Sequence, residues 1–186
     1  MRYPKRHKED ACHRLVDRGG RHAKRHGFAG SGMDAIAAAA GVTSGSLYRH
    51  FDGKSDLFAA IVEHELGRAA AAYRDLSAHD RRALLAAFDR YLSTAHLDHP
   101  EAGCVLPTLT AEVARADTRV RARFEAGVIE IHGLLEQVTG SRQQAWVLLA
   151  QIVGAVMIAR AMLDAELRGH VLASVQQHCQ SLLGAG

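Results

Sequence analysis

The stretch Ser31-Gly32-Met33-Asp34-Ala35-Ile36-Ala37-Ala38-Ala39-Ala40-Gly41-Val42-Thr43-Ser44-Gly45-Ser46-Leu47-Tyr48-Arg49-His50-Phe51 decides the fold. Met33, Ile36, Ala37 and Ala40 recur at helical spacing, and Gly41 then ends that helix by tolerating a positive φ. Thr43 is placed to cap a second helix, its hydroxyl accepting from the backbone near Ser46. Val42 and Leu47 face inward and lock the two segments together. The pattern is that of a helix-turn-helix.

The residues left outside this pairing are small or hydrogen-bonding. Thr43, Ser44, Gly45 and Ser46 would let the second helix approach base edges in a major groove, and Tyr48, Arg49, His50 and Lys54 offer donors to flanking phosphates. Charge distribution agrees. Residues 1–56 hold eleven Lys and Arg against six Asp and Glu, whereas the rest of the chain holds twelve against fourteen. Every lysine (Lys5, Lys8, Lys24, Lys54) lies in the basic part, as expected of a polyanion-binding module joined to a neutral one.

The rest of the chain reads as helix. It has three prolines and no evident strand-type alternation. A first helix is expected over Glu9–His26, although Gly19 and Gly20 inside it each cost about 1 kcal/mol relative to alanine. After the pair at Gly32–Ala40 and Thr43–Phe51, a fourth helix starts near Lys54, with Ser55 as a candidate cap, and reaches about Leu76. A break at Ser77–Asp80 precedes a fifth helix running to His99. A short helix carries Leu106 to Ala114, another runs from Asp117 or Thr118 to Gly140, the most apolar one follows Ser141 through Leu163, and a last one follows Gly169. The expectation is an all-α fold of about nine helices, with residues 1–54 forming the helix-turn-helix domain and 55–186 a helical bundle.

The three cysteines, Cys12, Cys104 and Cys179, are widely spaced and form neither a disulfide framework nor a zinc ribbon. With no secretory leader evident, the reading is cytoplasmic. The apolar run from Ala145 to Ala159 reads as a buried helix, too short to span a bilayer, so no membrane partner is expected. No Gly-rich phosphate loop, Gly-x-Ser-x-Gly elbow or His-Glu-x-x-His motif occurs, and no enzyme is expected. No cofactor is indicated either.

From Gly27 to Leu57 the order Gly-Phe, Ser, Ile-Ala, Ala-Gly-Val-Thr-x-Gly-x-Leu-Tyr-x-His-Phe, Lys-x-x-Leu resembles the TetR family of bacterial transcriptional regulators. The resemblance implies a dimer whose two three-helix heads enter major grooves. It places Gly32 and Met33 where the second helix meets phosphate, Thr43 to Ser46 at the start of the recognition helix, and Tyr48, His50 and Lys54 on the DNA backbone. The chain departs from the family at Ser44, where a lysine is common. It departs again at His22, Ala23 and Lys24, where large apolar residues are usual, leaving the head to depend on Phe28 and Phe51.

One helix-turn-helix makes too few base contacts for strong discrimination, so a homodimer on a palindromic DNA operator is expected. Its interface is expected on the last two helices, through Ala150, Val153, Gly154, Met157, Ala161, Val171, Val175 and Leu182. The resemblance also implies a cavity for a small-molecule effector that changes the spacing of the heads, which makes a ligand-released repressor the expected function. Candidate lining residues are Phe88, Leu92, His96, Cys104, Leu109, Phe124, Trp146 and Met157, each with ordinary core packing as the alternative. Cys104 admits two readings, a reactive sensor thiol or inert core. His96, His99 and Cys104 have a spacing that could hold a metal, but twelve histidines make such strings common, and no metal site is assigned.

Overall fold

The computed structural model describes residues 5–74 and 80–184, with side chains from Cys12 onward. Those residues form ten helices and no strand. Residues 1–4, the expected break at Ser77 to His79 and the side chains of Lys5, Lys8 and Ala11 lie outside the described ones.

α1 (Lys5–His26), α2 (Met33–Ala40) and α3 (Ser44–Leu47) make the head. α1 begins earlier than expected and holds its two internal glycines for a packing reason. A Cβ on Gly20 would stand 2.9 Å from Glu65 Oε1, and one on Gly19 would stand 3.2 Å from Ile36 Cγ2. The helix-propensity cost therefore permits close approach to its neighbours.

α4 (Lys54–Arg74) packs on α1 and, more extensively than any other pair, on α8 (Thr118–Thr139). The expected domain boundary thus falls at the first turn of a continuous helix that serves both parts. Ser55 does not cap α4. It lies inside the first turn and its hydroxyl donates to Asp117, while Asp56 accepts from the Asp52 amide at 3.2 Å.

The expected fifth helix is two. α5 (Arg81–Tyr91) stops because Leu92 leaves helical geometry at φ −89° and ψ 39°, and Ser93 then caps α6 (Thr94–Asp98) by accepting from the His96 amide at 3.2 Å. α7 (Leu106–Val113), α8, α9 (Arg142–Ala161) and α10 (Ala165–Gly184) complete the body. Asp117 and Ser141 cap α8 and α9, and Gly140 closes α8 at φ 72°. α9 ends at Ala161 rather than Leu163, which is fully exposed. α10 starts at Ala165 rather than after Gly169, with Asp164 Oδ1 accepting from the Leu167 amide at 2.8 Å.

α9 is also longer than its apolar run suggests. By length and composition it could cross a membrane, with 39% of the qualifying window buried inside the fold. Here it packs on α7, α8 and α10 through Leu148, Ile152, Val156 and Ala159.

Candidate DNA-contact surface and effector cavity

The turn between α2 and α3 is built as the residues dictate. Gly41 adopts φ 73°, and the Val42 amide returns to Ala37 O at 3.0 Å. Thr43 Oγ1 accepts from the Ser46 amide at 3.2 Å. α3 is regular only to Leu47. Beyond it, Tyr48, Arg49 and His50 continue as tight turns held by bonds such as His50 N to Leu47 O at 2.9 Å.

Gly32, the N-cap of α2, is exposed, as are Thr43, Gly45, Tyr48 and Arg49; Met33, Ser44, Ser46 and His50 are half-buried. Ser44 donates to Asp34, which joins the two helices across the turn. Tyr48 has 58% of its surface exposed with nothing in the fold to account for it. Lys54 differs from the rest. Its ammonium donates to Ala29 O at 2.8 Å and sits 5.3 Å above the centre of the Phe28 ring, so it braces the loop after α1. Phe28 in turn stacks on Phe58 at 4.1 Å, and both it and Phe51 are buried.

The departure at the end of α1 has a physical role. Ala23 is wholly buried and His22 Nε2 lies 3.2 Å from Ser31 Oγ. Lys24 reaches into the body. Its Nζ donates to Glu65 Oε2 of α4 and to Gly103 O of the α6–α7 loop, each at 2.8 Å, with both charged side chains completely buried. Glu112 of α7 makes a second link, accepting from the Phe28 amide at 3.0 Å and the Ala29 amide at 2.5 Å.

Against this clamp lies a cavity of about 790 Å³ between α4, α5 and the α6–α7 loop, reaching Ile131, Leu149 and Ile152. That volume suits a drug-sized molecule. Of the eight candidate lining residues only His96 and Cys104 reach it. Phe88, Leu92 and Leu109 are core, Phe124 is half-buried against that core, and Trp146 and Met157 are about 40% exposed on α9. Helical periodicity marks inward faces but not where facing side chains fail to meet. The void opens beside small residues, Ala69, Ala72, Ala87, Ala95 and Ala102, and two tyrosines, Tyr73 and Tyr91, form much of its aromatic wall. Clustered small residues, half-buried at Ala69 and Ala87 and exposed at Ala72, Ala95 and Ala102, were the available signal.

His96 is held as a neutral ring. Its Nδ1 donates to Tyr91 O at 2.6 Å and its Nε2 accepts from the Cys104 amide at 3.1 Å. Burial, with Arg160 and Lys24 nearby, lowers its pKa. Both nitrogens of this ring are therefore engaged by the protein. Among the described residues no group of three or more His, Cys, Asp or Glu is placed to hold a metal. Burial pushes the Cys104 thiol up, outweighing the Leu106 amide that donates to Sγ at 3.4 Å. Such a thiol holds little thiolate at neutral pH.

The expected interface residues lie on two adjacent stripes. Ala150, Met157 and Ala161 are exposed and Val153 and Gly154 half-buried on α9; Val171, Val175 and Leu182 are half-buried on α10. Trp146, Val147, Ile158, Leu163 and Leu167 add exposed apolar surface on and between the same two helices. Trp146 stacks on His132 at 4.1 Å.

Residues 16–61 match the family model described as bacterial regulatory proteins, tetR family. No curated protein matches the chain in sequence. Among solved structures it resembles the reduced form of NemR from E. coli, at 23% identity and TM-score 0.79 over 92% of this chain and 96% of that one. A TetR transcriptional regulator from Chloroflexus aurantiacus aligns at 20% identity and TM-score 0.77, covering 96% of each chain. One from Cytophaga hutchinsonii aligns at 17% identity and TM-score 0.77, covering 100% of this chain and 98% of that one. At these identities the likeness is one of fold, and the matched segment coincides with the helix-turn-helix built from Gly41 and Thr43. That segment is therefore similar to the DNA-binding helix-turn-helix of tetR-family regulatory proteins, and the chain as a whole shares the fold of solved TetR regulators.

Proposed function

We propose that the protein is a repressor that binds a palindromic operator as a homodimer and is released by a small molecule entering the cavity. Residues 1–54 act as the DNA-binding domain and 55–186 as the effector and dimerisation domain. The observation that carries this reading is the Lys24 clamp, because it joins the cavity wall at Gly103 and Glu65 directly to α1 of the head.

At the DNA, Thr43 to Ser46 face base edges, and Gly32, Met33, Tyr48, Arg49 and His50 meet the backbone. Lys54 contributes by bracing the Phe28 loop, with phosphate contact at most secondary. The apolar stripes of α9 and α10 support a four-helix interface between two copies, and exposed Met157, Ile158 and Leu167 are the kind of surface such an interface covers. No acidic or extended activating segment is evident in the sequence, which favours repression by blocking access to DNA. A regulator of this kind works in the cytoplasm, beside the chromosome. Only a molecule that binds the DNA-incompetent arrangement more tightly can act as its effector.

The test is the mass of the complex on a short duplex selected for binding, measured by sedimentation equilibrium. Two chains per duplex, or a multiple of two, is expected. One chain per duplex contradicts the reading.

A further inference from the structure

The polar end of the cavity carries more positive than negative charge. Glu65 brings one carboxylate, completely buried, and its Oε2 accepts from two cations, Lys24 Nζ and Arg68 Nη2, both at 2.8 Å. Behind the same wall Arg160 donates to Leu97 O at 3.2 Å and to His96 O at 2.5 Å. Among the described residues Arg160 has no ion-pair partner, and its Nη1 is buried without a hydrogen bond. Glu101 is nearby, but it is shared with Arg25 at 3.9 Å and His99 at 3.5 Å. His96 adds no charge, both its nitrogens being committed as a neutral ring. Lys24 and Arg68 thus share the one carboxylate of Glu65, while Arg160 stands among Tyr91, Cys104 and Glu101. Asp89 and Arg90, also in the lining, are both exposed and offset one another.

Two cations on one carboxylate beside an apolar void leave a positive charge, on half-exposed Arg68, that an anion would offset. From this we infer that the effector is an amphipathic organic anion, its apolar body lying along Ala72, Ile131, Leu149 and Ile152 and its acid group on Arg68. The inference rests on the cavity being the effector site. Arg68 is suited to the task. It lines the cavity, its side chain is 48% exposed, and the bonds it makes to Glu65 Oε2 and Gly103 O use Nη2 alone. Either paired edge of a guanidinium includes Nη2, so a carboxylate or sulfonate docking on Arg68 would take Nη1 or Nε together with a share of Nη2. An acid group there also competes for Nη2 with the two acceptors that Lys24 uses, so binding acts on the clamp that holds α1.

Two fluorescent probes test the charge. Anilinonaphthalene sulfonate and neutral N-phenyl-naphthylamine share one aromatic scaffold and differ by the sulfonate. The folded full-length chain should bind the sulfonate about tenfold more tightly. Arg68→Met should bring the ratio to about one, and Arg68→Lys should restore part of it. Equal or tighter binding of the neutral probe to the wild-type chain overturns the inference even if Arg68→Met fails to fold, and so does a ratio that survives Arg68→Met. Filling the void with Ala72→Trp should weaken both probes. If it affects neither, the cavity is not their site, and the effector reading falls together with the inference built on it.

Discussion

Lys24 Nζ lies 2.8 Å from Glu65 Oε2, with both side chains shielded completely from solvent. A lysine so buried gives up hydration, and burial lowers its pKa while Glu65 opposes that shift. Removing one partner leaves the other charge stranded, at a cost of about 3–5 kcal/mol, whereas replacing both with apolar residues of similar size is close to neutral. Lys24→Met should therefore destabilise the chain strongly and Lys24→Met with Glu65→Leu should recover most of the loss, as read by urea denaturation. A double variant no better than the single one would show that the pair is not what holds α1 to α4.

On the DNA surface, groups that touch backbone and groups that read bases should separate. Arg49→Ala should weaken binding to operator and random DNA alike and lower the salt dependence by about one unit of slope. Thr43→Ala removes a cap worth about 1 kcal/mol and should change base preference. Lys54→Ala should lower thermal stability as well as affinity, since its ammonium bonds Ala29 O. Salt-dependent anisotropy titrations on both DNAs, with melting curves, check all three. Unchanged affinity and preference in Thr43→Ala would misplace the recognition helix.

The cavity histidine sets a pH dependence. The folded-state pKa of His96 is lowered from its ordinary 6.5, so the native state binds fewer protons than the unfolded chain below that value. Its stabilising contribution is whole above about pH 6.5 and declines as pH falls through and below it. The drop in melting temperature between neutral and mildly acidic buffer should be smaller in His96→Asn than in wild type. An identical drop would remove His96 from the account.

Cys104 should behave as a core thiol. Burial pushes it up, and Cys179 is pushed to about 11 for the same reason. Alkylation of Cys104 in the native chain at neutral pH should be at least about tenfold slower than in the urea-unfolded chain. A faster native reaction would revive the sensor reading.

On the proposed dimer surface, Met157 is 40% exposed beside small Ala150, Gly154 and Ala161. Placing a charge there, Met157→Asp, should yield monomers by sedimentation while helicity is retained. A variant that sediments as the wild type does would point to another interface.

The head was legible because its information is local. Gly41, Thr43 and the Val42–Leu47 pairing each settle their own turn through nearby backbone atoms. The clamp was not. Lys24 and Glu65 are far apart in the chain, and nothing in the helical period of α1 says that a lysine there points inward. The same limit explains the glycines. Gly19 and Gly20 read as weaknesses until Ile36 and Glu65 stand beside them. It also explains the cavity candidates. Large inward residues such as Phe88 and Leu109 fill space, whereas the void forms beside alanines, and only the placing of α4, α5 and the α6–α7 loop around it brings those together. The break at Leu92 was hidden because apolar spacing carries straight across it.

The central claim, a symmetric DNA-reading dimer, is tested most directly by selecting bound sequences from random duplex DNA at fixed salt. The account predicts an enriched palindrome whose half-sites lie about one helical turn apart, or a multiple of it, and which loses its base preference when Thr43 or Ser46 is changed. Enrichment of no symmetric sequence, with operator-sized and random duplexes bound equally, would contradict it.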